Sequence, residues 1–388
     1  MIVAITNLSR LAETAGTPAG VLAAGTDLVG GLFWAWLALS VLVLVAWAVV
    51  TRGGFHRLAD RPPRTNYLQL PTVLFIIIVW LLLGMLAGST VRQLGLVVTP
   101  APGQDASNLP ASVRTANAFW MQMAQLVVIG MTAALILLIA SVAFADRLRG
   151  FGLRWRQAGR DALRGVAYIA VILPCVLAVA AVTAALFKRL GWEVVGHELL
   201  RTLDLDDTRS VISAIVLAVL AAPIGEELLF RGIVQSFLVR FFSVMMPPKG
   251  FPTMALWFHP PELAQAQAQA VVARAQAIGE SVPAELADRA GLGQATQAGP
   301  LTPDQRYRRA VAGIAVTALL FALVHLSVPQ SVPAIFLLAL AMGYAYERTG
   351  SIVTPIVMHL LFNAFNVAMH VIELLTGGGP GLAWSIRG

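Results

Sequence analysis

Charge is what this chain has least of. Only 12% of its 388 residues are Asp, Glu, Lys or Arg, about half the share that soluble domains carry. That shortage excludes the two or three soluble domains that length alone would suggest. Cysteine is scarcer still: Cys175, the single one, follows Pro174 inside an apolar block. No internal disulfide can form, and nothing follows about redox compartment. The first 26 residues carry Arg10 and Glu13 but no basic start leading into an apolar core. No cleaved signal peptide is therefore expected, and the first membrane helix takes the targeting role. There is no internal repeat either, which weighs against the inverted-repeat transporter folds.

What the chain has in excess is apolar residues, at 58% with a mean hydropathy of +0.77. They come in blocks long enough to cross a hydrocarbon core of about 30 Å as helices. The blocks predict eight spans, at 29–50, 67–88, 119–145, 165–187, 210–238, 310–327, 331–346 and 352–375. The expected fold is all-α, a polytopic transmembrane helix bundle with a polar intramembrane cavity between spans five, six and eight. Its environment is the lipid bilayer, and a bacterial inner (plasma) membrane is the expected location.

The net charge of +7 invites a nucleic-acid reading, but the basic residues flank the apolar blocks. That is the pattern of membrane orientation, in which Lys and Arg stay on the cytoplasmic side, so no nucleic-acid partner is expected. Loop 51–66 has four arginines against Asp60, and loop 146–164 has six against Asp146 and Asp161. Segment 188–209 has five acids against four bases. Eight spans with both termini outside satisfy every one of these loops. Three regions follow: a four-span membrane region (1–209), a core that carries the chemistry (210–376) and a short tail (377–388). Within the core, residues 245–306 open on Met246-Pro247-Pro248-Lys249-Gly250 and continue as an Ala/Gln-rich run. They are too polar to span, and read as a cytoplasmic insertion on the membrane face.

Ionisable groups at the bilayer centre cost about 2.5–3.5 kcal/mol each on insertion scales, so they are functional candidates. Span five contains Ala222-Pro223-Ile224-Gly225-Glu226-Glu227-Leu228-Leu229-Phe230-Arg231-Gly232. Glu227 and Arg231 are four apart with the acid N-terminal, the arrangement that allows an ion pair along one helix face. Glu226 points about 100° away and is left for other work. Span six ends Phe321-Ala322-Leu323-Val324-His325, and span eight holds His359-Leu360-Leu361-Phe362-Asn363. His359 and Asn363 share a face, which must turn to protein or water rather than lipid. A polar stripe of this kind suits a transporter pathway equally well.

Taken together, Glu-Glu-x-x-x-Arg, Phe-x-x-x-His and His-x-x-x-Asn, in that order on separate membrane helices, resemble the signature of the CPBP family. Its members are intramembrane proteases that include the type II CAAX prenyl endopeptidases. The resemblance spans about residues 210–376, and the 62-residue insertion between the first two motifs is longer than expected. It implies an intramembrane endopeptidase cutting a membrane-proximal peptide bond in a peptide or protein substrate. In that reading Glu226 and His325 activate a water, His359 and Asn363 stabilise the oxyanion, and Glu227 and Arg231 orient the site. It also leaves the cofactor open: Glu226, His325 and His359 would serve as a Zn²⁺ set with one position for water, or the water is activated without metal. Oligomeric state, substrate identity and any prenyl requirement are not legible.

Rival chemistries can be tested on the residues. A zincin needs His-Glu-x-x-His, and the nearest string, His197-Glu198-Leu199-Leu200-Arg201, lacks the second histidine. No pair of aspartates lies within a span, as an aspartyl type requires, and no Gly-rich serine start fits a serine type. Two non-enzymatic readings stand beside the protease: a proton-coupled transporter, and an inactive protease-like scaffold or immunity protein.

Overall fold

The computed structural model of the chain describes residues 18–50, 68–100, 108–143, 147–194, 207–245 and 303–375. Among these residues regular structure is entirely helical, with no strand. Eight long helices follow one another: α1 (Pro18–Val50), α2 (Leu70–Gln93), α3 (Ala111–Ala143), α4 (Ala158–Arg189), α5, α6 (Pro303–Leu323), α7 (Val332–Thr349) and α8 (Val353–Leu375). Helix α5 is built of five segments, Thr208–Ile215, Val216–Ala221, Ala222–Glu227, Leu228–Gln235 and Ser236–Met245, the second and fourth of them π-helical. Each expected span falls on one of these helices. Of the expected insertion 245–306, Met245 ends α5 and residues 303–306 already belong to α6, while residues 246–302 and the tail 377–388 lie outside the described residues.

Among the described residues six helices, α1 to α5 and α8, are long and apolar enough to cross a membrane. The chain is thus an integral, multi-pass membrane protein. The apolar part of α6, Ala310–Leu323, is too short to be counted with them. At 1.5 Å per residue it reaches about 21 Å, short of the hydrocarbon thickness of about 30 Å. Several helices also start before the apolar blocks do: α3 at Ala111 rather than 119, and α4 at Ala158 rather than 165. Their first turns carry polar residues such as Arg114, Asn117, Arg160 and Asp161. Hydropathy marks the lipid-facing length of a helix, whereas its hydrogen bonds continue into the interface.

The bundle is apolar outside as well as inside. Leu32, Leu42, Met85, Leu86 and Val142 are more than 60% exposed, which in a bilayer means facing acyl chains. The core runs from α2 and α3 (Ile76, Ile136) to where α4, α5, α7 and α8 meet, around Val176, Ile233, Leu338, Met342, Tyr346, Ile352 and Met358. Lipid tails are as apolar as leucine, so helices associate through close packing, and small residues allow it. Gly165 lets α4 press on α8, since a Cβ there would lie 2.7 Å from the Thr354 carbonyl oxygen. Gly313 does the same for α6 against α5, 2.6 Å from a Val239 methyl. These contacts seat α8 against α4 and α5 against α6, and α5 and α8 carry most of the expected site.

Candidate active site

Pro223 sits in the first turn of the α-helical segment that holds Glu226 and Glu227. The π-helical runs on either side each add a residue per turn to the backbone register, a device found mostly at functional sites. Register faults free carbonyls, and side chains take them up. Ser236 Oγ donates to the Arg231 carbonyl at 3.0 Å, and Asn363 Nδ2 reaches across from α8 to the Ala218 carbonyl at 2.8 Å.

The two glutamates do diverge. Glu227 is fully buried and accepts a 2.8 Å hydrogen bond from Arg231 Nη1, itself fully buried. The Glu226 side chain is 32% exposed. Arg231 also donates to the Ala339 carbonyl on α7 at 3.3 Å and lies over the Phe321 ring, 4.6 Å from its centroid. A buried charge pair is tolerated only where hydrogen bonds and geometry are good, and α7 and Phe321 supply that surrounding.

His359, 4% exposed, stands between the carboxylates. Its Nδ1 is 3.0 Å from Glu227 Oε1 and its Nε2 is 3.9 Å from Glu226 Oε2. With Nδ1–H donated to Glu227, the ring orientation is set and Nε2 is presented to Glu226. The result is a series, Arg231–Glu227–His359–Glu226, drawn from α5 and α8 and buried except at its Glu226 end. Glu226 Oε2 itself is buried with no hydrogen-bond partner within the protein.

Phe321 joins the remaining histidine to this series. Its ring is edge-on to His359 at 5.6 Å between centroids, tilted against His325 at 4.9 Å and edge-on to Phe230 at 5.0 Å. His325 is not in the helix expected to carry it: α6 stops at Leu323 and His325 lies in the turn beyond. Its Nδ1 is 2.7 Å from the Phe321 carbonyl oxygen, so the side chain caps the end of its own helix and leaves Nε2 available. The physical reason is a common one, because the last carbonyls of a helix have no partner within it.

Of the six expected residues, the structure links Glu226, Glu227, Arg231 and His359 by side-chain contacts and joins His325 through Phe321. Asn363 lies one turn along α8 from His359, with one amide hydrogen committed to Ala218 and the other available. Sequence reasoning noted Phe321 only as the start of a motif and gave it no role. The contact of Glu227 with His359 was missed entirely, since no local spacing relates residues on α5 and α8. As for a metal, Glu226 and His359 face each other, but among the described residues no group of three or more His, Cys, Asp or Glu side chains is placed to hold one. The arrangement as it stands does not fit a three-ligand zinc set.

A family model described as type II CAAX prenyl endopeptidase Rce1-like matches residues 208–265 and 285–365. The match takes in all three motifs and leaves out residues 1–207 and the Ala/Gln-rich stretch 266–284. No curated protein and no solved structure matches the chain.

Proposed function

From the match of residues 208–265 and 285–365 to the model described as type II CAAX prenyl endopeptidase Rce1-like, we propose a specific reaction. The chain is an intramembrane endopeptidase that hydrolyses a membrane-proximal peptide bond with a water activated at Glu226. The observation that carries this is the series Arg231–Glu227–His359–Glu226, buried as far as His359 and partly exposed at Glu226. Glu226 is the one carboxylate of the pair without an ion-pair partner in α5, its side chain is partly exposed, and its Oε2 accepts no hydrogen bond within the protein and is left to accept one from a reacting group. His325, with Nδ1 fixed on its own helix end, offers Nε2 as a second group to hold that water.

The steps assign each group an act. Glu226 takes the proton as the water oxygen attacks the peptide carbonyl. Negative charge then builds on the carbonyl oxygen, where the donors are the second Nδ2 hydrogen of Asn363 and Nε2–H of His359, which in this step carries a proton on both ring nitrogens. Losing one donor of this kind typically costs about a hundred- to a thousandfold in rate. Glu227 stabilises that charged imidazole through Nδ1–H, and Arg231 balances Glu227. The proton on Glu226 finally passes to the leaving amine, which restores the site.

Glu226→Gln keeps the shape and removes proton acceptance, so turnover of a membrane-anchored peptide should fall by at least about a hundredfold with folding intact. The scaffold reading is favoured instead if Glu226→Ala leaves the cellular phenotype unchanged, and the transporter reading if proton-driven flux survives Asn363→Ala. Metal content of the purified protein is measured in parallel. Stoichiometric zinc that disappears in His359→Ala would replace the metal-free form of this reaction.

A further inference from the structure

The single turn Arg147–Gly150 and the residues leading from it to α4 lie outside the stretches that match the family, yet they pack directly behind the site. Phe151 is 2% exposed, unusual for a residue in a loop with six arginines. Its ring fills the space over Gly232, the residue after Arg231: a Cβ at 232 would lie 2.9 Å from Phe151 Cδ1 and 3.0 Å from Cε1. Its carbonyl accepts a 3.3 Å hydrogen bond from Tyr346 Oη on α7. That hydroxyl is 3.5 Å from Ser236 Oγ, which in turn donates to the Arg231 carbonyl. On the other side Gly152, at φ +80°, closes on the turn before α8, where an added Cβ would meet the Ser351 Cα at 2.8 Å. Arg154 Nη2 donates to the Gly350 carbonyl at 3.2 Å.

One short segment therefore touches the π-helical turn of Arg231, the C-terminal half of α7 and the entry to α8. Those three elements hold Arg231, its Ala339 carbonyl partner and His359. We propose that Phe151 is a positioning residue of the site: its ring, seated against Gly232, holds the Arg231 turn in the register that pairs Glu227 with both Arg231 and His359. The glycine at 232 is then required by the approach of a residue from outside the family-matched stretches. The inference rests on the endopeptidase reading for its effect on turnover, but the packing it describes does not.

The experiment is a space swap. Gly232→Ala forces the ring out, Phe151→Val removes the atoms that would collide, and the double variant restores the fit. All three are purified in detergent with the parent and Glu226→Gln, and their melting temperatures are compared. Gly232→Ala should lower kcat about ten- to a hundredfold, as small misplacements do, with KM within about twofold. The pH dependence of kcat should shift, because the Glu227–His359 contact is disturbed. The double variant should recover at least about a third of the parent kcat. Parent-like kcat in Gly232→Ala, or no recovery in the double variant, overturns the proposal. If the parent and Glu226→Gln are equally inactive, the protease reading fails and the test moves to hydrogen exchange. Residues 226–235 and 353–363 should then exchange faster in Gly232→Ala and return to the parent rate in the double variant. Unchanged exchange overturns the proposal on that arm as well.

Discussion

Glu226 and Glu227 are neighbours with opposite circumstances, and substitution should separate them. Glu227→Gln leaves Arg231 charged and fully buried with its 2.8 Å partner gone. Breaking such a pair typically costs about 3–5 kcal/mol, so lower yield and a lower melting temperature are expected, with inactivity following. Combining Glu227→Gln with Arg231→Met removes both charges and should regain part of the stability. It should not regain activity, because Glu227 also orients His359. Should Glu226→Gln be the destabilised variant and Glu227→Gln the stable, inactive one, the two carboxylates have been assigned the wrong way round. The ion pair was legible from the four-residue spacing of Glu227 and Arg231, and so was the divergence of Glu226. The position of His359 between both acids was not legible, because a contact between α5 and α8 leaves no trace in local spacing. Nor was the placement of His325 beyond its helix, since Val324 and Leu326 keep the apolar pattern running past the last helical residue.

At the scale of elements, close packing decides where the catalytic helices stand, and two glycines of α4 make the argument testable. Gly159 faces open space, whereas Gly165 lies against the Thr354 carbonyl and Val357 of α8. Glycine inside a helix costs roughly 0.5–1 kcal/mol relative to alanine. Gly159→Ala should therefore raise the melting temperature slightly. Gly165→Ala should lower it, since a Cβ 2.7 Å from a backbone oxygen forces α4 and α8 apart and overpacking costs about 1–3 kcal/mol. Equal effects at the two positions would refute the packing account. The eight helices were legible from hydropathy alone, to within about two turns at their ends, except that α1 starts at Pro18, about three turns before the expected span. The π-helical runs of α5 were not, because a change from i→i+4 to i→i+5 bonding has no marker in residue type. Its consequence shows in Asn363 and Ser236, two polar side chains that pair with carbonyls of α5.

The whole molecule has a direction in the bilayer, and the charge on its loops should set it. Arginines 154, 156, 160 and 164 crowd the start of α4, whereas its end carries fewer bases, Lys188 and Arg189, and is followed by Glu193. A preference for Lys and Arg on the cytoplasmic side then places residue 156 inside and residue 193 outside. Helix α4 is long enough to separate them: 32 residues reach about 48 Å, more than the roughly 40–45 Å of a bilayer with its headgroups. Both side chains are exposed, so Arg156→Cys and Glu193→Cys can be labelled with a membrane-impermeant maleimide. Cys175 lies mid-helix and is replaced by alanine in both to remove background. Labelling at 193 should proceed on intact cells and labelling at 156 only after permeabilisation. The reverse pattern inverts the bundle and moves the Phe151 segment to the outer face. Labelling of both sites on intact cells would mean that α4 does not cross the membrane, and with it would fall the placement of α8, which is packed along it through Gly165.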